Sequence, residues 1–160
     1  MPSGRANWFC ISKDKKDFTL DLNDSRIKKD RKAILVAKTW HKGRVLLGYA
    51  KVNEKLGYFV YKGKVLRKED FQLLRKRKNL AWKLHKKGWK IPKNAFLAGV
   101  TRELEKLYIG RVIVKGVELA GQVCGSVCHV AKGDEVFEAQ TFQILVIEEK
   151  ENSHPAKCIK

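Results

Sequence analysis

The chain has 160 residues, 44% of them hydrophobic, and a formal net charge of +18. This apolar content excludes an intrinsically disordered chain, and the length allows a buried core without disulfides or metal ions. Lys and Arg outnumber Asp and Glu by fourteen to six in residues 1–61 and by thirteen to two in residues 62–93, whereas residues 94–160 have eight against nine. A basic surface attracts nucleic acid, acidic lipid or acidic glycan, but it is also compatible with a solvated face that only aids solubility.

The sequence shows no export or membrane signal. Met1–Cys10 lacks an apolar run of signal-peptide length, and no stretch approaches the length that spans a membrane. We therefore expect a cytoplasmic protein without a transmembrane segment. Its four cysteines would fit two disulfides in an exported protein, but without an export signal we expect free thiols. They are Cys10, Cys124, Cys128 and Cys158.

The second half of the chain repeats the first, and a repeat sets the architecture before individual elements are assigned. The recurring pairs are Gly43 and Gly116, Gly48 and Gly121, Gly63 and Gly133, Phe71 and Phe142, and Trp8 and Trp82. We place the first repeat at residues 5–76 and the second at residues 77–149, and we expect the two to form one structural domain. Residues 150–160 are predicted to be a polar tail.

In chain order, each repeat is predicted to contain a β-hairpin. Two apolar, β-branched runs flank a Lys-Gly pair, and a glycine between such runs supplies the positive φ that a tight turn needs. The runs are Ile34–Trp40 and Val45–Val52 around Lys42-Gly43, and Leu107–Val114 and Val117–Val123 around Lys115-Gly116.

A third and a fourth strand follow in each repeat. They are Gly57–Tyr61 and Asp70–Leu74 in the first repeat, and Val127–Ala131 and Thr141–Glu148 in the second. Each repeat is then a small antiparallel sheet whose apolar face needs a partner, and the other repeat is the obvious one. The predicted fold class is all-β, with two tandem pseudo-two-fold antiparallel repeats that share one core as an intertwined sandwich or barrel-like structure.

The segment Gln72–Lys87 admits two interpretations. Its leucines and the charges around them are compatible with a basic amphipathic helix that Gly88 and Pro92 would end. The repeat favours a strand at Phe71–Leu74, then a connector, with Trp82 near the start of the second copy. We adopt the strand and connector.

A series of short motifs runs through the second repeat. The motifs are Ile91-Pro-Lys-Asn-Ala-Phe-Leu-Ala-Gly99, Leu107-Tyr-Ile-Gly-Arg111, Lys115-Gly116, Ala120-Gly121, Val127-Cys-His-Val130 and Phe142-Gln-Ile-Leu145. In this order they resemble the DM-nine repeat, which occurs in invertebrate proteins, typically in tandem pairs. The first repeat fits more loosely, through Ala37–Gly43, Leu47-Gly48 and Phe71–Leu74. Together the matches span most of the chain.

The resemblance implies an all-β fold of two intertwined repeats and a non-catalytic role. Some members of the family are lectins that bind mannose-type sugars, and others are intracellular proteins that respond to infection or stress. We therefore predict a non-enzymatic binding module that recognises a glycan or another small polar ligand, or a degenerate descendant of such a lectin, with a role in defence or stress response. No cofactor is implied.

The chain departs from the family pattern where sugar chemistry is expected, which weakens an inherited mannose site. Val100 and Thr101 occupy the family's Gly-Asp position, and Tyr49 and Gln122 stand where its lysine is found. A sugar site needs carboxylate oxygens and amide or cationic donors, because a buried polar group left unpaired is costly. The candidate ligand-binding residues are Glu103, Arg111, Glu118, Gln122, His41 and Tyr49.

The strongest electrostatic feature is the run Arg75-Lys-Arg-Lys78 with the lysines that follow it, between which Trp82 and Trp89 are placed. Cations with interleaved aromatics suit nucleic acid or an acidic membrane surface, and the tetrapeptide resembles a nuclear-import signal, so nuclear entry stays open. Alternatively, the lysines only protect an exposed strand edge from pairing with another chain and aggregating. The candidate polyanion-binding residues are Arg75, Lys76, Arg77, Lys78, Lys83, Lys86 and Lys87.

The sequence also bears on metal binding, on catalysis and on self-association. Cys124, Cys128 and His129 lack the second ligand pair of a tetrahedral zinc site, so we predict no metal. No nucleophile elbow, phosphate loop or metalloprotease pattern occurs in the sequence, and we predict no catalytic residues. Exposed strand edges and a two-fold repeat leave a homodimer open as an alternative.

Overall fold

Each half of the chain forms one antiparallel sheet, and the two sheets have the same strand order. The computed structural model describes residues 8–11, 34–51, 54–75 and 79–148. The first sheet contains β1 (Trp8–Ile11), β2 (Ile34–His41), β3 (Arg44–Lys51), β4 (Leu56–Tyr61), β5 (Lys64–Lys68) and β6 (Phe71–Leu74). The second contains β7 (Leu80–Lys86), β8 (Gly99–Val100), β9 (Lys106–Val114), β10 (Val117–Cys124), β11 (Val127–Lys132), β12 (Glu135–Ala139) and β13 (Thr141–Ile147).

The strand orders confirm the predicted pseudo-two-fold repeat. The first sheet has the order β1-β6-β2-β3-β4-β5, and the second has the order β7-β13-β9-β10-β11-β12, with β8 paired to β9. Each strand of the first sheet therefore has a counterpart at the same place in the second. The two sheets are open rather than closed into a barrel, and the all-β fold class is confirmed.

Both predicted hairpins are present, with the turn chemistry that the sequence indicates. Lys42 and Gly43 have φ values of 52° and 77°, and Lys115 and Gly116 have values of 51° and 82°. Positive φ at both central residues is the type I′ geometry that matches the twist of the flanking strands. The predicted third and fourth strands are also present in both sheets.

The prediction of four strands per repeat was incomplete. The strands β5 and β12 were missed because they are short and rich in charged residues, and they extend hairpins rather than standing as apolar runs. The edge strands β1 and β7 were also missed. The segment assigned to a connector contains β7, and the described residues include no helix between Gln72 and Lys87, so the helical interpretation is wrong.

Four clusters of buried side chains stabilise the two sheets and their contact with each other. One lies within the first sheet, around Phe59, Phe71 and Leu73, and a second lies within the second sheet, around Phe142 and Ile144. The other two take residues from both sheets. Burial of each large apolar side chain contributes about 1.5–3 kcal/mol, so the shared clusters couple the two repeats energetically.

Two glycines stand where the neighbouring strand approaches closely. A Cβ added to Gly48 would lie 2.0 Å from the carbonyl oxygen of Tyr58, and a Cβ added to Gly121 would lie 2.1 Å from that of His129. Tyr58 and His129 occupy equivalent positions, because they pair with Tyr49 and Gln122 in the two sheets. The recurring glycine is thus required by the same close backbone contact in both repeats.

Substitution of these glycines is expected to destabilise both repeats alike. Gly48→Ala and Gly121→Ala should each lower the free energy of unfolding by about 1–3 kcal/mol or more, because the new Cβ displaces backbone. Urea denaturation measures this. The matched control is Gly116→Asn, where nothing lies within 4 Å of the added Cβ and asparagine tolerates the positive φ. Wild-type stability in both alanine variants would contradict the argument.

Candidate functional site

A groove of about 550 Å³ opens in the second sheet where β9 separates from β13. The two strands pair at Arg111 with Gln143 and at Gly110 with Ile144, and the groove lies beyond this pairing. Its volume falls within the range of roughly 300–1,000 Å³ that small-molecule sites have. Apolar walls come from side chains that include Leu84, Ile113 and Phe137. The polar groups come from Arg111, Lys115, Glu138, Thr141 and Gln143.

The guanidinium of Arg111 is held on several sides. Its Nε and one terminal nitrogen donate to Oε1 of Gln143 at 2.9 Å and 2.6 Å. A carboxylate oxygen of Glu118 lies 3.3 Å from Nε, and the guanidinium carbon lies 4.7 Å from the ring centroid of Trp82. These contacts fix the group before any ligand arrives, so its entropic cost of ordering on binding is small.

The equivalent place in the first sheet differs. Lys38 pairs with Gln72 as Arg111 pairs with Gln143, but its ammonium lies 4.4 Å from the Trp8 ring and donates to the carbonyl of Ala98 at 3.2 Å. Burial lowers the pKa of Lys38. The next residue, Thr39, donates its hydroxyl to the carbonyl of Asp70 at 2.9 Å, which ties β2 to the start of β6. Val112 stands at this place in the second sheet and cannot make that bond.

The structure brings together two of the six predicted ligand-binding residues, Arg111 and Glu118. Gln122 instead lies between the sheets, where its Oε1 accepts a hydrogen bond from the backbone N–H of Leu47 at 3.0 Å. Tyr49 is 1% exposed and donates its hydroxyl to the carbonyl of Ala131 at 2.7 Å. Burial raises the pKa of Tyr49 well above its ordinary range.

The other two candidates lie apart from the groove. His41 is at the first hairpin, where its ring contacts Tyr61 edge to face at 4.7 Å, and partial desolvation with Lys68 and Lys42 lowers its pKa. Glu103 is exposed in the turn after β8. The six candidates therefore form no single cluster, and their roles stay predictions.

Three groups at the groove were not identified from the sequence. Gln143 accepts from Arg111, Trp82 lies under the guanidinium, and Thr141 lines the groove. The sequence contains a pattern that could have identified Gln143. A Phe-Gln pair recurs near the start of the last strand of both repeats, and its glutamine pairs with a basic residue in each sheet.

The basic segment lies along one edge of the second sheet. Lys83, Lys86 and Lys87 are exposed on β7 or directly after it, and β7 is an edge strand. Arg75 is half-buried, with its guanidinium carbon 5.0 Å from the Phe9 ring. Lys76, Arg77 and Lys78 lie outside the described residues, as do residues 150–160.

The cysteines of the second repeat have separate environments. Cys128 is buried, and burial raises its pKa to about 12. Cys124 contacts the carboxylate of Glu105, and burial followed by this carboxylate raises its pKa. Across the part of the chain that the structure describes, no three His, Cys, Asp or Glu side chains are placed to hold a metal ion. Within the same ranges no helix is long and apolar enough to cross a membrane.

Two similar open sheets with a shared interior define a tandem-repeat β protein, and comparison with known families agrees. The family model described as DM9 repeat matches residues 28–127, which are 100 of the 160 residues. The chain belongs to the DM9 repeat family. This bears out the resemblance that the sequence motifs indicate.

A solved structure has a similar fold. The chain superposes on the crystal structure of the nematode sperm cell motility protein MFP2B with a TM-score of 0.53 and 16% sequence identity. The match covers 76% of this chain and 40% of that one, so the chain spans less than half of the matched protein. At this identity the likeness shows the fold alone. No curated protein matches the chain.

His85 is the buried titratable group behind the groove. It is 1% exposed, its Nε2 lies 2.8 Å from the Ser126 hydroxyl oxygen, and its ring lies 5.4 Å from that of Phe142. Burial lowers its pKa. As the pH falls through the ordinary histidine pKa of about 6.5, the unfolded chain binds a proton before the folded protein does, so folding stability decreases.

We expect the free energy of unfolding to fall between pH 7.5 and pH 5.5, by at most about 1.4 kcal/mol per pH unit from this residue. Chemical denaturation across this range measures the slope. His85→Gln should be less stable at pH 7.5 but show a flatter slope, because the titrating group is gone. His129→Gln leaves His85 in place and is the matched control. An equal slope in His85→Gln and the wild type would contradict this assignment.

Proposed function

We propose that the chain is a non-catalytic binding module that recognises a carbohydrate in the groove of the second sheet. Family membership and the fold support a non-catalytic β-sheet domain. The observation that favours a sugar is the Arg111–Gln143–Glu118 cluster over Trp82, next to the apolar walls of Leu84 and Ile113.

The chemistry of the groove suits a sugar ring. A sugar offers paired hydroxyl groups together with apolar C–H faces, and its site must supply donors, acceptors and an apolar surface. The Arg111 bonds use the carbonyl oxygen of Gln143, so the amide NH₂ and the other guanidinium donors are the groups offered to a ligand. Glu138 and Thr141 add an acceptor and a hydroxyl.

The proposed site differs from the place where family lectins would be expected to bind mannose. Tyr49 and Gln122 stand at the family's lysine position, and both are hydrogen-bonded across the two sheets. We therefore centre the site on Arg111. A role in defence or stress response is part of this proposal, and the resemblance to lectins of the family is its only support.

Binding without chemical catalysis is the second part of the proposal. The charged group best placed to act on a ligand is Arg111, and it is already paired with Glu118 and Gln143. A permanently protonated guanidinium orients and binds but does not exchange protons. This pairing supports recognition rather than acid–base chemistry.

A glycan array followed by calorimetry tests the sugar site. We expect binding to at least one class of glycan, and Gln143→Ala should weaken it by about ten-fold or more, since a hydrogen bond to a charged group is worth about 1.5–3 kcal/mol. Gln72→Ala removes the equivalent residue of the first sheet and should leave affinity unchanged. Signals at background for all glycans, mannose included, or wild-type affinity in Gln143→Ala, would overturn the proposal.

A second candidate function is polyanion binding through residues 62–93. The observation that favours it is the group of exposed lysines at the edge strand β7, with Lys83 and Lys86 on the strand and Lys87 directly after it. Affinity for single-stranded RNA or for vesicles with acidic lipid should then fall steeply as salt rises from 50 to 200 mM, because cation–phosphate contacts release counterions. Affinity that stays flat over this range would refute it.

A further inference from the structure

A half-exposed tryptophan lies at the end of the strand that forms one wall of the groove. Trp89 is 50% exposed and follows β7 in a short turn. The turn is fixed at both ends: the N–H of Trp89 donates to the carbonyl of Lys86 at 3.0 Å, and the N–H of Lys87 donates to the carbonyl of Gln140 at 2.7 Å. Gly88 supplies the positive φ of 96° that the turn requires. The indole is therefore presented from a rigid backbone.

The indole has supporting contacts that leave half of it in solvent. The ring of buried His85 meets it edge to face at 6.1 Å, and the ammonium of Lys86 lies 5.9 Å from its centroid. A large aromatic ring held in this way offers a flat apolar surface with a cation at its border.

This surface is continuous with the groove through the pairing of β7 and β13. Lys86 pairs with Thr141 and Leu84 pairs with Gln143, so the side chains of each pair lie on the same face of the sheet. Leu84, Thr141 and Gln143 all line the groove. A ligand that leaves the groove along β7 therefore reaches Lys86 and Trp89 next.

The charge along this path is uniformly positive. Residues 79–101 contain five lysines and no Asp or Glu, and all five lysines are exposed. The carboxylates near the groove have partners, since Glu118 pairs with Arg111 and Glu138 lies 3.3 Å from His129. The β7 side of the groove thus attracts the anionic part of a ligand.

We propose that the ligand of the groove is an acidic oligosaccharide, one with uronate carboxylates or sulfate esters. One sugar binds in the groove at Arg111 and Gln143, and the next stacks on Trp89 with its anionic group at Lys86. This inference rests on the proposed carbohydrate function and names the class of sugar and a second subsite. An ammonium that meets a carboxylate or sulfate forms a charge-assisted hydrogen bond, which a neutral sugar lacks.

Single-stranded nucleic acid is the competing ligand for the same surface. Such sites stack successive bases on several aromatic rings. The neighbouring ring, Trp82, is covered by the guanidinium of Arg111 at 4.7 Å and is not available for a base. The observations therefore favour the acidic glycan.

The central comparison of the test is between two ligands with the same sugar backbone, one with free carboxylates and one with those carboxylates esterified. The full chain is titrated in a calorimeter at low salt with tetragalacturonic acid and with its methyl ester, and with a sulfated tetrasaccharide and a single-stranded oligothymidylate as further ligands. We expect at least one of the two acidic tetrasaccharides to bind about ten-fold or more tightly than the ester. Trp89→Ala should weaken that binding by about ten-fold, and Lys86→Gln should reduce the preference for the charged ligand.

Two matched controls are available in the first sheet. Trp40 is also 50% exposed, and Lys64 is an exposed lysine on β5. Trp40→Ala and Lys64→Gln should leave the affinity for the acidic tetrasaccharide unchanged. Circular dichroism shows whether each variant is folded, and the exposed position of Lys86 makes Lys86→Gln informative even where a tryptophan variant unfolds.

Several outcomes would overturn the inference, and they separate it from the proposed function. If neither acidic tetrasaccharide binds more tightly than the ester, or if neither binds at all, the acidic class of ligand is ruled out, whereas the glycan array tests sugar binding in the groove independently. Loss of binding in Gln143→Ala with wild-type affinity in Trp89→Ala removes the second subsite but retains the groove. Tighter binding of the oligothymidylate, lost in Trp89→Ala, assigns the surface to nucleic acid instead.

Discussion

The contact between β3–β4 of the first sheet and β10–β11 of the second holds this protein together. It combines apolar packing with two hydrogen bonds that cross from one repeat to the other: a buried bond from Tyr49 to Ala131 and a part-buried bond from Leu47 to Gln122. Separating the sheets would expose the apolar cluster to water and break both hydrogen bonds. A buried group that loses its partner costs about 1–3 kcal/mol, so the two bonds require the sheets to stay in one register.

The same scaffold carries two different surfaces because a few equivalent positions differ. Lys38 and Arg111 both extend over a tryptophan, but the lysine reaches the backbone of Ala98 whereas the guanidinium reaches Gln143. Thr39 donates a hydrogen bond to the carbonyl of Asp70, and Val112, which lines the groove at the equivalent place, cannot make this bond. A repeat duplicated in sequence can therefore present different chemical groups at the same place in its two copies.

Much of this architecture could be read from the sequence, and the exceptions have physical causes. Lys-Gly turns between apolar runs specify hairpins locally, so β2, β3, β9 and β10 were predictable. The short strands β5 and β12 contain charged residues and owe their structure to the neighbouring strand rather than to their own pattern. Arg111 was identified as a site residue, but its partner Gln143 lies 32 residues later, and their contact depends on the sheet order.

The prediction of Tyr49 and Gln122 as ligand-binding residues shows a second limit of inference from sequence. In the sequence, the pattern around a polar strand residue is the same whether the side chain faces solvent, a ligand or a second sheet. Only the packing of the two repeats decides between these environments, and here it places both residues between the sheets. Their replacement of a lysine is then physically reasonable, because an unpaired ammonium at that depth would be far more costly than a hydroxyl or an amide.

The two sides of the groove differ in charge, and this difference can orient a ligand. On its β12 side the groove is lined by Glu138, which lies beside His129, and by Lys115, which lies beside Glu135. The β7 side has lysines and no carboxylate in residues 79–101. A neutral ligand would bind without regard to this difference. An anionic one would be oriented by it, with its charge towards β7, and the effect would extend over about 8–10 Å at moderate salt. The five lysines of residues 79–101 therefore matter more for the groove than the total charge of +18, because they are the cations that flank it on the β7 side.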